Sequence, residues 1–523
     1  MKTLYATTSI ACIISLAGVM LGMDISSLAT FLGSFYFNKY LGFPGPLEQG
    51  LMTSANPIGG FIGCVFFGVA SERLSRIQAF QAFSLVWIMG CIISVAVVNV
   101  WMVVAGRAIR GAAIGGLSVL IPTYIGEVVP LNKKGLVTSV VQLSVTVAVL
   151  FMFFVCFLLN LLEKPLSFRV AWGLEMAPAI LLFGFSNLLS ESPRWLAIHG
   201  YYDKAQEKMR KLALFNSGEE GDTMDFNKID VLDFLVPATP ISYFQLSRRG
   251  LRKHISIGIT LQILVQVCGM NTLMFYAVYI CDMIGLQGNS KLIAAAVPYS
   301  VNVVFTFVPI LLLDKLKRRD ILIPGSFILA ILMLVIGCIM GQYGRDSEPI
   351  GGNTAVVWTV TGTPGLLVLL LCFAFVGVFS ATLSCCAWLY TNEILPARAK
   401  AKGMVVAMSV SWMLNATLTF ITPFFLSKIK WVTFVILGSC TFFLAMIVAL
   451  VFPETYGLAE SEIENLFNKS TFSAKAEDSN LDTGCIVRSC APSPAIHLKA
   501  MEPDSNTEPQ TSEHHEVKVK VTV

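Results

Sequence analysis

The stretch Tyr124-Ile-Gly-Glu127-Val-Val-Pro130 follows a long apolar run, and it recurs as Tyr390-Thr-Asn-Glu393-Ile-Leu-Pro396 after another such run. Both copies lead, a few residues later, into a Lys-Gly pair. Two more short patterns occur twice in the same order: residues 72–76 resemble residues 314–318, and residues 190–192 resemble residues 453–455. Repeats in one order along the chain indicate that it is built from two similar halves.

The segments between these motifs are strongly apolar. Of the 523 residues, 55% are hydrophobic and only 13% are charged, which is outside the range of soluble globular proteins. Runs of about 20 apolar residues can cross the hydrocarbon layer of a membrane as helices. Such runs lie near residues 8–30, 51–70, 79–99, 102–124, 136–160, 170–190, 254–281, 292–313, 321–341, 365–390, 403–426 and 431–452. The first is too long for a signal peptide, so we interpret it as a retained helix.

These features predict an all-α polytopic membrane protein with about twelve transmembrane helices in two parallel six-helix halves. In transporters of this plan the solute site lies near the membrane midplane between the halves. The predicted domains are an N-terminal six-helix half over residues 1–190, a cytoplasmic linker with short helices over 191–252, a C-terminal six-helix half over 253–452, and a cytoplasmic, largely disordered tail over 453–523.

The basic residues predict the orientation in the membrane. They lie in alternate loops, near residues 73–76, 133–134, 248–253, 315–319 and 398–402. Because cytoplasmic loops collect Lys and Arg, both termini and the long central loop are predicted to be cytoplasmic. The same bias accounts for most of the formal net charge of +4, so we expect the bilayer as surroundings and no nucleic-acid partner.

Several kinds of chemistry find no support in the sequence. Most of the 13 cysteines stand singly inside apolar runs, where cysteine usually behaves as a small hydrophobic residue. The adjacent Cys385 and Cys386 would point in different directions from one helix, so no metal site is predicted. Neither a phosphate-binding loop nor a nucleophile elbow is found. We therefore expect neither an enzyme nor an ATP-driven pump, and no cofactor.

Acidic residues accompany the basic ones at the predicted cytoplasmic helix ends. The positive-inside rule explains the Lys and Arg residues but requires no carboxylates there. Repetition of the carboxylates predicts ion pairs across the two halves that close the cytoplasmic side; the alternative is solvated charges that only set the topology. The candidate gate residues are Glu72, Arg73, Arg76, Glu127, Lys134, Glu191, Arg194, Asp314, Arg318, Glu393, Arg398 and Glu454.

A further set of motifs is spread over roughly residues 8–467. They are Gly68 to Arg76, Gly106-Arg107 with Gly111 and Gly115-Gly116, Pro122 to Pro130, Gln142-Leu143, Glu191 to Leu196, Gln266 with Gly269 and Asn271, Glu393 to Gly403, and Pro453-Glu454-Thr455. Through these motifs the chain resembles the sugar porter family of the major facilitator superfamily, and within it the fungal hexose transporter-like members. The resemblance implies a carrier that works by alternating access.

The resemblance also implies a sugar site. A sugar offers many hydroxyl groups and two weakly apolar faces, which suit amide side chains and an aromatic platform. The amides would hold hydroxyl groups and the tryptophan would stack on the sugar; for any single residue, an interhelical hydrogen bond or an ordinary buried aromatic is the alternative. The positions that match the family's sugar-binding residues are Gln142, Gln266, Asn271, Asn302, Trp388 and Asn415.

The chain departs from the family pattern at several of these places. Val265 precedes Gln266 where the family usually has a second glutamine, so one hydroxyl contact is expected to be missing. Cys385-Cys386 replace the prolines that precede the family's tryptophan, which predicts a weaker bend in the tenth span. Met23 stands where the family has a tyrosine, and Glu175 where a glutamine is common. The identity of the sugar or polyol therefore stays open.

Two charged residues lie at lipid depth, where charged residues are functional candidates by default. Asp24 in the first span and Arg107 in the fourth match a pair used by proton-coupled relatives. A buried carboxylate beside a cation could exchange a proton during turnover. A static ion pair that fixes helix packing is the alternative, so uniport and proton symport both remain open.

The end of the chain has a different composition. Beyond Phe467 it is polar and rich in Ser, Thr, Lys, Glu and Pro, which cannot build a core. This tail could bind cytosolic regulators, and it motivates a second hypothesis, a nutrient sensor with the carrier fold and little or no transport. The family resemblance makes the plasma membrane the default location.

Overall fold

The computed structural model describes residues 7–32, 34–70, 73–130, 133–162, 164–216, 243–247, 249–275, 280–281, 283–284, 289–347, 358–396, 399–458 and 462–463. Within this part the chain is almost entirely helical. The described helices belong to one compact unit, residues 1–471.

Eighteen α-helices are numbered here in chain order. They are α1 Thr7–Leu32, α2 Phe35–Tyr40, α3 Pro46–Ala70, α4 Arg76–Val95, α5 Val100–Val128, α6 Lys134–Asn160, α7 Leu166–Leu174, α8 Met176–Phe185, α9 Pro193–Ile198, α10 Tyr202–Asn216, α11 Arg249–Val267, α12 Met270–Phe275, α13 Asn289–Leu312, α14 Arg318–Tyr343, α15 Thr363–Ala381, α16 Leu383–Ile394, α17 Lys400–Lys428 and α18 Val432–Val451. Two short strands, β1 Arg345–Asp346 and β2 Trp358–Thr359, pair antiparallel between α14 and α15, with Arg345 opposite Thr359.

The predicted all-α membrane fold is confirmed. Among the described residues, eleven helical segments are long and apolar enough to cross a membrane, and the shorter apolar helix Ala296–Leu312 within α13 lies at the predicted eighth span. Each predicted span overlaps an observed one. Several helices begin earlier than predicted, because their first turns carry the polar and charged residues of the repeated loop motifs, as Arg76, Lys134 and Arg318 do in α4, α6 and α14.

Three spans are interrupted. The sixth is divided into α7 and α8 at Glu175, the seventh into α11 and α12 at Cys268-Gly269, and the tenth into α15 and α16 at Thr382. Gly269 has a φ of +91°, a backbone conformation that only glycine adopts without strain. The weaker bend predicted for the tenth span is not observed: the helix is interrupted at Thr382 although Cys385 and Cys386 replace the prolines.

Close helix packing fixes the N-terminal half. Helix α3 packs along α5, and a Cβ atom at Gly63 would overlap the carbonyl oxygen of Ala112, while one at Gly115 would overlap that of Gly60. Across the two halves, α3 lies along α17 and α6 lies along α13. The surfaces between these pairs of helices are where a solute could pass.

Candidate functional site

A hydrogen-bonded group of polar side chains lies at the break of the seventh span. Asn271 Nδ2, on α12, donates to Gln266 Oε1 at 2.7 Å, and Gln266 Nε2, on α11, donates to Ser411 Oγ of α17 at 2.8 Å. Gly269, with its positive φ, turns the chain between the two amides. The break therefore brings Gln266 and Asn271, which are five positions apart in the sequence, within hydrogen-bonding distance of each other.

Gln142 and Trp388 lie on opposite halves and line one cleft. The cleft is narrow, with a cavity volume of about 10 Å³, and its wall includes Thr138 of α6 together with Ser384 and Cys385 of α16. Both Gln142 and Trp388 are half-buried, so parts of both side chains remain available to a solute. This arrangement places an amide and an indole within one cleft between the halves.

The other two predicted amides are hydrogen-bonded within the C-terminal half. Asn302 Oδ1, on α13, accepts from Ser380 Oγ of α15 at 2.8 Å. Asn415 Oδ1 accepts from Thr419 Oγ1, one turn along α17, at 3.0 Å. Both asparagines are buried. Neither is among the residues that line the cleft of Gln142 and Trp388.

Several polar residues of this region were missed by the sequence analysis. Gln262, one turn before Gln266 on α11, is buried and donates to Thr391 Oγ1 of α16 at 3.1 Å. Trp412 Nε1, on α17, donates across the halves to Ser118 Oγ of α5 at 3.0 Å. In the sequence, Gln262 and Trp412 are only an amide and an indole inside apolar runs. Such a residue alone does not distinguish a solute-binding site from a hydrogen bond between packed helices.

A second polar group is a buried cluster of four charged residues in the N-terminal half. Arg107 Nη2 lies 3.1 Å from Asp24 Oδ2, and Arg110 Nη1 lies 2.9 Å from Asp24 Oδ1. Arg110 also pairs with Glu175, and all four side chains are fully buried. Asn56 donates a hydrogen bond to Asp24. The predicted pair of Asp24 and Arg107 is therefore present, but it belongs to a larger cluster.

Two bidentate ion pairs occupy corresponding places in the two halves, at the helix ends that carry the repeated loop motifs. Arg76 Nε and Nη2 donate to the two carboxylate oxygens of Glu127 at 3.0 and 2.9 Å. Arg318 Nε and Nη2 donate to those of Glu393 at 3.2 and 3.0 Å. Each pair joins helices of one half, so the prediction that these residues pair across the halves was wrong. Since each Arg begins the helix after a loop motif, the pair anchors that loop to the end of α5 or α16.

Glu454 and Asp314 bind helix N-termini. Glu454 accepts from the backbone amides of Arg318 and Arg319 at 2.9 and 3.0 Å, at the start of α14. Asp314, which follows α13, accepts from the amides of Gly135 and Leu136 at 3.0 and 2.7 Å, at the start of α6. The Asp314 contact crosses from the C-terminal to the N-terminal half. Burial raises the pKa of the Asp314 carboxyl above its ordinary value, and the two amide hydrogen bonds act in the opposite direction.

The remaining candidate gate residues lie around these contacts. Glu191 faces Ser75 and Arg76, and burial raises the pKa of its carboxyl above the ordinary value, against the hydrogen bond from Ser75 and the charge of Arg76. Arg194 lies close enough to Glu127 to act on its charge. Lys134, the first residue of α6, is buried, whereas Arg73 is exposed. Glu72 and Arg398 lie outside the described residues.

Among the described residues, no group of three or more His, Cys, Asp or Glu side chains is arranged to hold a metal ion. Cys385 and Cys386 are both fully buried and free.

Known proteins resemble this chain over most of its length. Residues 10–467 match the family model described as "Sugar (and other) transporter". A probable metabolite transport protein of Saccharomyces cerevisiae is 36% identical over 468 residues, covering 88% of this chain and 87% of that protein. High-affinity glucose transporter 1 of Candida albicans is 32% identical over 474 residues, covering 89% and 86%. The major facilitator proton:xylose symporter XylE, solved with 6-bromo-6-deoxy-D-glucose, superposes with a TM-score of 0.72 at 21% identity, covering 88% and 99%, and therefore has the same fold.

Proposed function

Since the chain belongs to the sugar (and other) transporter family, we propose that its solute is a sugar or a related polyol, moved by alternating access between the two halves. The chain is an integral membrane carrier and not an enzyme. The observation that supports the solute class best is the cleft between the halves, which Gln142 and Trp388 line from opposite sides. An amide beside an indole matches the hydroxyl groups and the weakly apolar face of a sugar ring.

In this proposal the amides exchange their present hydrogen bonds for bonds to the solute. Gln266 and Asn271 already form one connected group, so a hydroxyl group that approaches Asn271 would also change the bonds of Gln266 and Ser411. Asn302 and Asn415 would contribute in states where their helices approach the cleft. No described feature favours the nutrient sensor over a carrier.

We expect Asn271→Ala to lower the transport efficiency for the solute, kcat/KM, by about tenfold or more. The variant removes one amide's hydrogen bonds to the solute, each worth roughly 0.5–1.5 kcal/mol, and it leaves Gln266 Oε1 without its donor. The measurement is uptake of labelled hexoses, pentoses and polyols into transporter-deficient cells.

The matched control is Asn187→Ala, which removes an amide from an exposed position after α8. This variant is expected to transport like the parent protein. Well-expressed parent protein that takes up none of the sugars or polyols would contradict the proposed solute class. Equal uptake by both variants would show that Asn271 does not bind the solute.

We also propose that Asp314 closes the cytoplasmic side of the carrier. Its carboxylate accepts from two backbone amides at the start of α6, where the helix dipole favours negative charge, and this contact joins the halves. The ion pairs Arg76–Glu127 and Arg318–Glu393 hold the surrounding loops in place within each half. Opening toward the cytoplasm would require the Asp314 contact to break.

Asp314→Ala is expected to shift the carrier toward its inward-open state by roughly fivefold, because losing such a carboxylate contact costs about 1 kcal/mol. The shift can be measured as faster labelling of Cys385, which lines the cleft, by a membrane-impermeant thiol reagent added from the cytoplasmic side. The reacted cysteine is identified by mass spectrometry. Asp320→Ala, an exposed carboxylate on α14, is the control and should leave the rate unchanged. Equal rates in both variants would contradict the proposal.

The location and the termini are proposals as well. The alternation of basic loops supports cytoplasmic termini, and the plasma membrane is the expected location. The domain limits at residues 190, 252 and 452 and a regulator-binding tail over residues 453–523 belong to the same proposal.

Asp24 and Arg107 are proposed to couple transport to protons, since both are fully buried charges in membrane-spanning helices.

A further inference from the structure

A small hairpin lies on the side of the membrane opposite the repeated loop motifs, which is the outer side in the proposed orientation. Its strands, β1 and β2, pair where the chain passes from α14 to α15. Trp358 Nε1, on β2, donates to the carbonyl oxygen of Met340 at 3.0 Å, in the last turn of α14. A Cβ atom at Gly344 would lie 2.1 Å from Trp358 Nε1. The indole therefore closes the end of α14, and it fits there because residue 344 is glycine.

Lys430 fastens the hairpin to the turn between α17 and α18. Its ammonium group pairs with Asp346 of β1 and lies 5.0 Å from the ring centre of Trp358. The backbone of Lys430 has a φ of +51°, a left-handed conformation that favours glycine. A residue persists in this conformation where its surroundings hold it in place. The ion pair and the cation–π contact therefore explain why a lysine stands at this position.

The hairpin also reaches the outer end of the seventh span. The amide of Val360, directly after β2, donates to the carbonyl oxygen of Met283 at 2.7 Å, and both residues are buried. Residues 344–346 and 358–360, which we call the outer strap, thus connect three parts of the C-terminal half. These are the end of α14, the turn between α17 and α18, and the seventh span.

Two further hydrogen bonds join the outer part of the seventh span to neighbouring helices, and both are longer. The hydroxyl groups of Thr272, on α12, and Thr422, on α17, lie 3.4 Å apart. Tyr299 Oη, on α13, donates to the carbonyl oxygen of Met274 at 3.3 Å. Both distances exceed the usual range of about 2.5–3.0 Å for hydroxyl donors, so the bond from Val360 is the strongest of the three.

The outer part of the seventh span covers an unfilled cavity. The break at Cys268-Gly269 separates this part from α11, so the two pieces can change their angle. The cavity volume is about 20 Å³, and the missing contacts weaken the packing of its walls. Its lining is apolar apart from two thiols and consists of Leu273, Ile280, Cys281, Pro298, Leu369, Cys372, Phe373 and Val376. The span is therefore held less firmly from beneath than a filled core would hold it.

We propose that the outer strap holds the outer end of the seventh span against α13 and α15, and that release of the strap opens the cavity beneath it to the outer side. The inference rests on the proposed alternating access, because a carrier of that kind opens its outer side in one state. Neither Lys430 nor Trp358 is among the residues that line the cleft of Gln142 and Trp388. The strap thus acts on opening and not on the contacts of the solute.

The test is labelling of Cys372 in the full-length protein by a membrane-impermeant maleimide added from the outer side. Cys372 lines the cavity from α15 and is 6% exposed, so it reacts slowly while the seventh span covers it. Lys430→Gly removes both side-chain contacts and suits the backbone at φ +51°, so this variant is expected to fold. We expect it to label Cys372 roughly fivefold faster than the parent protein, as losing one ion pair and one cation–π contact predicts. Mass spectrometry identifies the labelled cysteine.

Gly344→Ala releases the strap by a second route, because the added Cβ atom displaces the indole of Trp358. It should accelerate the labelling of Cys372 in the same way. Lys428→Ala, which removes an exposed lysine two positions before Lys430, is the control and should label at the parent rate. Cys64, fully buried on α3 in the N-terminal half, should stay unlabelled in every variant.

Two results would overturn the inference. One is an unchanged rate at Cys372 in both strap variants. The other is labelling of Cys64 as fast as that of Cys372, which would show that the hairpin only stabilises the fold as a whole. The measurement needs no solute, so a parent protein that takes up no sugar or polyol would contradict the proposed solute class and not the role of the strap.

Discussion

Replacing Gly63 with valine is expected to leave little or no folded carrier. A Cβ atom at this position would overlap the backbone carbonyl of Ala112 on α5, and a backbone atom cannot rotate away as a side chain can. Forcing extra atoms into a well-packed interior costs typically about 1–3 kcal/mol, and a clash with backbone belongs at or above the upper end of that range. The separation of α3 and α5 would also disturb α17, which lies along both helices.

The matched control is Gly184→Val, on α8, where an added Cβ atom would meet nothing within 4 Å. Both variants place the same side chain on a membrane helix, so a difference between them reports packing and not helix propensity. The measurement is the monodisperse fraction that survives heating in detergent, followed by size-exclusion chromatography. Equal survival of the two variants would show that α3 and α5 can separate at low cost.

The helices and their repetition could be predicted from the sequence because both depend on local patterns. Apolar runs specify membrane helices almost independently of their neighbours, and the repeated motifs mark corresponding loops of the two halves. The interruption at Thr382 could not be predicted in this way, because no proline or glycine lies within four residues of it. The interruption at Glu175 had a local signal that the sequence analysis did not use, since Pro178 cannot donate the helical hydrogen bond to the carbonyl group of Leu174.

The site was predictable in its residue types and less so in its contacts. The sequence identified Asp24 and Arg107 as charges at lipid depth, but it did not connect them with Arg110 and Glu175. Arg110 could have been found, since a residue three positions after Arg107 lies on the same face of a helix. The partner of Glu393 could not be predicted from the sequence. Its carboxylate could pair with a basic residue of either half, and only the packing of the helices selects Arg318.

The second large effect is expected for Glu393→Ala, which leaves Arg318 buried without its carboxylate. The guanidinium of Arg318 is only 4% exposed, and both of its donor bonds to Glu393 would be lost. Removing one partner of a buried ion pair typically costs about 3–5 kcal/mol, because the remaining charge is desolvated without compensation. Thr455 would lose its hydrogen bond to Glu393 as well. We expect a large fall in the thermal stability of the purified protein.

The cost should arise from the unpaired charge and not from the loss of the pair itself. If so, Arg318→Met combined with Glu393→Leu should recover at least half of the lost stability, because buried ion pairs can often be replaced by apolar residues of similar size.

Glu127→Ala, at the corresponding pair with Arg76, should be as damaging as Glu393→Ala, since that pair is equally buried and bidentate. Glu207→Ala, at the exposed pair with Lys211, should change nothing measurable. A double variant as unstable as Glu393→Ala would show instead that the Arg318 side chain stabilises the fold through its other contacts, such as its hydrogen bond to the carbonyl oxygen of Leu313.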